Sequence, residues 1–266
     1  MVSKEPKILL VDDDELSRRM MGLLLSDKGY NYDTASNGVE AVAAVQSQSY
    51  DLVLMDLQMP VMDGFEATRA IREWEAGNTH TSIVALTAML FEDEMKNCLS
   101  VGMDECIAKP FNSDTLFQLI SSYVDKSEYK SEYKSSSKET QTNHAKDKPG
   151  EQVVLDVEDT LPRFGKDFNV YKQFLSEFVS DLKDRINQFQ TVFLSGDFES
   201  LADQAHNLKG VSASMGAKQL SSLSQVLDQR CQKGDSLLIQ ETLEEIEKHV
   251  PELLGEAAKI LSEKAE

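Results

Sequence analysis

A chain of 266 residues is long enough for two ordinary domains, each with its own core, and its 41% hydrophobic content is that of a globular protein. Forty-six acidic against 27 basic side chains give a net charge of −19, a field that repels nucleic-acid backbone and acidic membrane surfaces, so neither is expected as a partner. Cys98, Cys106 and Cys231 stand in no CxxC or His-spaced pattern, which excludes a disulfide framework or zinc site and reads as buried thiols in a reducing compartment. No run of 18 apolar residues occurs, and MVSKEPKILLVDDD enters a strand without the pattern of a signal peptide, so a cytoplasmic location is expected.

From residue 7 to 124, short β-rich apolar runs alternate with amphipathic stretches. KILLVD leads to a helix over Glu15 to Lys28, NYDTA to a helix from Gly38, and YDLVLMD to a helix from Phe65. SIVALT then leads to a helix from Phe91, and ECIAKP to a helix over Ser113 to Val124. Strands this apolar need cover on both faces, which predicts an α/β doubly wound, five-stranded parallel sheet with right-handed crossovers. Residues 126–150 contain almost nothing to bury and include the repeat SEYKSEYK, so they read as a flexible linker. As a coil it would span about 27 Å root-mean-square. Beyond it only helical patterns follow: Val157 to Arg163, Phe168 to Leu194, Phe198 to Ala213, Lys218 to Lys233 and Ser236 to Leu261, the last interrupted or kinked at Pro251. Their apolar stripes predict an all-α four-helix bundle. The expected domains are therefore 1–125, a linker 126–150, and 151–266, with charges of −12 before the linker and −9 after it.

Chemistry-bearing residues fall where the sheet's strands end. Asp12 and Asp13 follow the first strand, Asp56 the third, Thr87 the fourth and Lys109 the fifth, and ligands on such sheets bind at carboxyl ends. Three carboxylates around one point repel each other unless a hard cation sits between them, and Mg²⁺ is the expected ion. Lys109 suits pairing with a phosphoryl oxygen and Thr87 suits donating a hydroxyl hydrogen bond to another.

Through ILLVDDDE, DLVLMDLQMPVMDGFEATRAIR, ALTA and AKPF, residues 7 to 124 resemble the receiver domain of two-component response regulators, whose fold is flavodoxin-like. The resemblance implies that Asp56 is the phosphoacceptor, that Asp12, Asp13, Asp56 and the backbone carbonyl of Gln58 hold Mg²⁺, and that Thr87 is the switch hydroxyl. It also implies that Lys109 pairs with the phosphoryl group and precedes a cis peptide bond to Pro110. Cys106 stands three residues before Lys109, where the family commonly has Tyr or Phe, so output through an aromatic ring coupled to Thr87 is not expected. Gln58 and Met89 occupy positions that resemble those tuning autodephosphorylation.

Of the four histidines, His80, His144 and His249 fall in a turn, in the linker and near Pro251. His206 lies in ADQAHNLKGVSASMGA, off the core stripe of Leu201, Ala205, Leu208, Ser212 and Met215. Its helical neighbours, Ala202, Asp203, Lys209, Gly210 and Ala213, are mostly small, so its imidazole should protrude where another protein can approach. Gly210 inside a helix costs ~1 kcal/mol relative to alanine, and room for a docking partner is a physical reason for it. AHNLKGVSASMGA and the helical remainder resemble a histidine-containing phosphotransfer (HPt) domain. The resemblance implies that His206 is a phosphoacceptor, Lys209 stabilises its phosphoryl group, Gly210 clears the approach, and a polar residue of the next helix, Gln225, orients the imidazole.

The two resemblances imply a phosphorelay protein that works with a sensor histidine kinase as donor and another receiver downstream or upstream. No glycine-rich ATP-binding region is evident, so a kinase activity is not expected, and the methionine start favours a separate protein over the tail of a hybrid kinase. Two rivals remain. Asp12-x-Asp14 after an apolar strand mimics the nucleophile motif of haloacid dehalogenase phosphatases, although Leu16 stands where that motif wants Thr or Val. A non-transferring adaptor, docking through a phosphorylated receiver, is the other.

Overall fold

The computed structural model describes residues 6–87, 92–124 and 153–263. Met89, Phe91, His144 and the linker 126–150 lie outside the described residues. The first half alternates β1 (Lys7–Val11), α1 (Glu15–Asp27), β2 (Asn31–Ala35), α2 (Gly38–Ser47), β3 (Leu52–Asp56), α3 (Gly64–Glu75), β4 (Ile83–Thr87), α4 (Glu92–Ser100), β5 (Glu105–Ala108) and α5 (Ser113–Val124). The five strands are parallel in the order β2-β1-β3-β4-β5.

Strand periodicity divides the core in two. Leu9, Val11, Val53, Met55, Ile83 and Ala85 face one side with Ala41, Val45, Ala67 and Ile71. Ile8, Leu10, Leu52, Leu54, Val84 and Leu86 face the other with Met21, Leu25, Leu116 and Ile120. All the strand residues named are fully buried, which explains why these strands are continuous apolar runs instead of alternating ones. The edge strand β2 is more exposed and correspondingly polar.

Local chemistry sets the helix starts. Asp14 caps α1 by accepting from the Ser17 amide at 2.8 Å, so the third aspartate of the acidic run serves the helix while the first two turn toward the strand ends. Asp63 and Glu66 form a capping box that starts α3 at Gly64. A Cβ on Gly64 would overlap the Asp56 carbonyl, so only glycine lets α3 close this tightly over the end of β3.

The second half is helical: α6 (Val157–Thr160), a 3-10 turn (Leu161–Phe164), α7 (Phe168–Ser195), α8 (Phe198–Ser214), α9 (Lys218–Lys233) and α10 (Ser236–Ser262). The single short helix expected over Val157 to Arg163 is thus divided, with Pro162 opening the tighter turn because it has no amide to donate. Helix α8 packs on α9, α9 on α10, α10 on α7 and α7 on α8, closing a four-helix bundle around Phe174, Phe178, Phe189, Leu208, Leu227, Leu243 and Leu253. Asp167, Asp197 and Asp235 cap α7, α8 and α10. Pro251 does not interrupt α10. Pro251 and Glu247, whose carbonyl it leaves unpaired, are both exposed, so water satisfies that carbonyl and the helix continues. No helix among the described residues is long and apolar enough to cross a membrane.

The bundle docks on the sheet domain. Leu16 and Met20 of α1 pack into the bundle's apolar cluster. Arg19 makes a two-pronged pair with Glu177 at 2.6 and 3.0 Å, and Arg185 joins Asp14 at 2.6 Å while also pairing with Asp181. Ser113 at the start of α5 donates to the Pro162 carbonyl at 3.0 Å.

Gly64→Ala should destabilise the sheet domain by roughly 1–3 kcal/mol through overpacking. Urea denaturation followed by circular dichroism checks this; an unchanged midpoint would show that the β3-α3 connection yields freely.

Candidate functional site

Strand register brings the acidic residues together. Val11 pairs with Met55 across β1 and β3, so the residues that follow, Asp12 and Asp56, end side by side where the strand order reverses. Thr87 pairs with Ala108, and Lys109 comes next. Lys109 reaches back with its ammonium 2.6 Å from Asp12 Oδ2 and 2.7 Å from Asp56 Oδ2. Its bond to Pro110 is cis. Asp12, Asp56 and Thr87 are buried.

One carboxylate oxygen each from Asp12, Asp13 and Asp56 lies within 4.8 Å of the others. One lysine does not balance three carboxylates. Burial pushes Asp12 up to about 7, Asp56 adds to this and Lys109 pulls against it. Burial also raises Asp13, opposed by a hydrogen bond from Asn207. Burial alone would lower Lys109, but Asp12 and Asp56 outweigh it and hold the ammonium above its ordinary value. Asp13 Oδ1 is buried with no hydrogen-bond partner, an orphaned hard oxygen on one of the three clustered carboxylates. This donor set fits Mg²⁺, which takes oxygen ligands and neutralises such clusters.

The bundle presents its own residues to the same place. His206 of α8, its side chain 13% exposed, lines a cavity of about 330 Å³ together with Asp13, Gln58, Asn207 and Asp228. The expected protruding imidazole is therefore covered, and the cover is the sheet domain. The expected core stripe of α8, Leu201 to Met215, is buried as its spacing requires. His206 Nδ1 is buried and faces Asp228 Oδ2 at 3.6 Å, too long for a hydrogen bond. Asp228 lies one turn beyond Gln225, the residue expected to orient the ring; both line a neighbouring cleft with Gln58, Thr87 and Lys209.

Lys209 is buried and makes no ion pair among the described residues. Burial lowers its pKa against the pull of Asp228, Glu94 and Asp56. A Cβ on Gly210 would meet open space, so the clearance at that position is not filled by the sheet domain. Asn207, next to His206, donates to Asp13 Oδ2 at 2.6 Å. Neither Asn207, Arg185 nor Asp228 stood out in the sequence, because their partners lie up to 194 residues away. The nearest signal was the adjacency of Asn207 to His206.

At Cys106, where an aromatic residue is absent, the thiol turns inward on Cys98, and burial pushes it up to about 12. All three cysteines are buried and free. His80 pairs with Asp104 at 2.7 Å, and His249 is buried with burial lowering its pKa, so neither belongs to this site.

The raised Asp12 has a measurable sign. Between 3.8 and about 7 the metal-free folded protein binds more protons than the unfolded chain, so this group makes stability fall as pH rises through that window. In EDTA, Asp12→Asn should therefore stabilise the protein at pH 8 by on the order of 1–3 kcal/mol, the gain shrinking toward pH 4. Urea midpoints across that range check it; a gain independent of pH would refute the assignment.

Comparison with known proteins agrees with both halves. A model of the response regulator receiver domain matches residues 8–121 and a model of the Hpt domain matches residues 173–257. Sensor protein GacS of Pseudomonas syringae pv. syringae is 32% identical over 263 residues, covering 96% of this chain and 28% of GacS. Hybrid signal transduction histidine kinase B of Dictyostelium discoideum is 47% identical over 133 residues, 46% of this chain and 7% of the kinase. The chain thus spans a minor part of the curated relatives it matches. Among solved structures, the magnesium-bound receiver domain of sensor histidine kinase PA1611 from Pseudomonas aeruginosa is 35% identical, with a TM-score of 0.43, covering 46% of this chain and 99% of that one. The chain joins a response regulator receiver domain to an Hpt domain and belongs to the two-component phosphorelay proteins.

Proposed function

We propose that Asp56 and His206 are the two phosphoacceptors of this chain and that they exchange a phosphoryl group within one molecule. The observation that carries the proposal is the shared cavity, lined by Asp13 and Gln58 of the receiver and by His206 and Asp228 of the HPt bundle. In the transfer the P–N bond of phosphorylated His206 breaks as an Asp56 carboxylate oxygen forms the new P–O bond, the electron pair returning to the imidazole; the reverse uses the same groups. Asp12, Asp13, Asp56 and the Gln58 backbone carbonyl would hold Mg²⁺, which supplies charge neutralisation for the incoming phosphoryl oxygens. Lys109 provides a positive charge from the receiver side and Lys209 from the bundle side, while Thr87 offers a hydroxyl at the end of β4. Gly210 leaves room beside His206 for docking of a second receiver. Residues 1–125 form the receiver and 151–266 the HPt domain, joined by a linker at 126–150, in a cytoplasmic protein served by a sensor histidine kinase and a further receiver.

The phosphatase alternative is disfavoured by Asp14. Its Oδ1 caps α1 and its Oδ2 pairs with Arg185, so it is not free to act as the second catalytic carboxylate of that chemistry.

Radiolabelled acetyl phosphate, a donor to aspartates, separates the steps. Wild type should carry label on His206 at a rate independent of protein concentration, His206→Gln should keep it on Asp56, and Asp56→Asn should take up none. Mixing Asp56→Asn with His206→Gln at micromolar concentration should transfer on the order of 10³-fold more slowly, because the tether no longer supplies a millimolar effective concentration. Absence of label on His206 in wild type, or a rate proportional to concentration, would sink the intramolecular reading.

A further inference from the structure

We propose that Asn207 of the HPt bundle is a positioning residue for the receiver's magnesium site, so that this site is completed across the interface between the two domains. The inference rests on the reading of Asp12, Asp13 and Asp56 as magnesium ligands. Two of the three carboxylates are held from within the receiver, since Lys109 binds Asp12 Oδ2 and Asp56 Oδ2. Asp13 is different. Among the described residues, the side chain that holds it is Asn207, whose Nδ2 donates to Oδ2 at 2.6 Å. The other oxygen of Asp13, Oδ1, is buried and without a hydrogen-bond partner, and Asp13 offers one carboxylate oxygen to the cluster it forms with Asp12 and Asp56.

A carboxylate with one oxygen fixed by a hydrogen-bond donor and the other bare is the arrangement in which the donor turns a ligand toward a metal. Asn207 is delivered to Asp13 by contacts that have nothing to do with the metal: Leu16 in the bundle's apolar cluster, and Arg185 on Asp14. Docking therefore sets the rotamer of Asp13, and by linkage Mg²⁺ must favour docking by the same factor that docking favours Mg²⁺. Because Asn207 is the residue after His206, loading the receiver with metal and presenting the histidine become one event.

Isothermal titration of MgCl₂ into the full chain tests this with wild type, Asn207→Ala and Arg19→Ala. Alanine is favourable in a helix, so the first variant keeps α8. Asn207→Ala should weaken Mg²⁺ binding 10- to 100-fold, on the order seen for outer-shell ligands generally. Arg19→Ala, which removes an exposed pair of the same interface without touching Asp13, should change it by no more than roughly twofold. Equal affinity in wild type and Asn207→Ala would overturn the inference while leaving the magnesium ligands intact, and so would an equal loss in both variants. Failure of wild type to bind Mg²⁺ at all would overturn the ligand assignment itself, and the inference with it.

Discussion

Three carboxylates held together at the carboxyl end of a buried sheet are the constraint on which the rest of this molecule depends. Asp12 and Asp56 are placed by register and Asp13 by chain continuity, so none can move away without slipping a strand whose neighbours are fully buried. Lys109 answers two of the three charges. Burial drives Asp12 toward protonation, with Lys109 opposing and Asp56 adding to it, and an oxygen of Asp13 is left without a hydrogen-bond partner. A site in this condition suits a hard cation. The phosphotransfer proposed for it draws on a sheet that cannot relax its own electrostatic conflict.

The same shortage explains how two acidic domains dock. Receiver and bundle carry −12 and −9, and at long range they repel. The contact is made by exceptions to each domain's charge: Arg19 reaches out from the receiver to Glu177, and Arg185 reaches in from the bundle to Asp14. The second pair is the more consequential because the Asp14 side chain is only 4% exposed. Removing Arg185 would strand a carboxylate beside three others, whereas Arg19 and Glu177 each retain access to water. Leu16 adds apolar burial to the charges, and it extends the bundle's core into the first helix of the receiver.

Much of this was legible in the sequence because the signals were local. Strand alternation with helices, the aspartates at strand ends and the small-residue surroundings of His206 all depend on residues a few positions apart, and the observed elements agree to within a residue or two. What was not legible depends on contacts between domains. Asn207 on Asp13 and Arg185 on Asp14 join positions separated by 194 and 171 residues, and no periodicity carries such a pairing. The accessible imidazole expected for His206 followed correctly from its helical neighbours, but one domain's surface says nothing about what covers it. Pro251 failed as a helix breaker for a physical reason, since a lost hydrogen bond on an exposed face is replaced by water.

His206 has one ring nitrogen turned toward a carboxylate of its own bundle. Nδ1 is buried and turned toward Asp228 Oδ2, while Asp228 Oδ1 is occupied by Gln232 at 2.8 Å. The cavity beside His206 is bounded by His206 and Asp228 from one domain and by Asp13 and Gln58 from the other, so its walls are complete only when the two domains are docked.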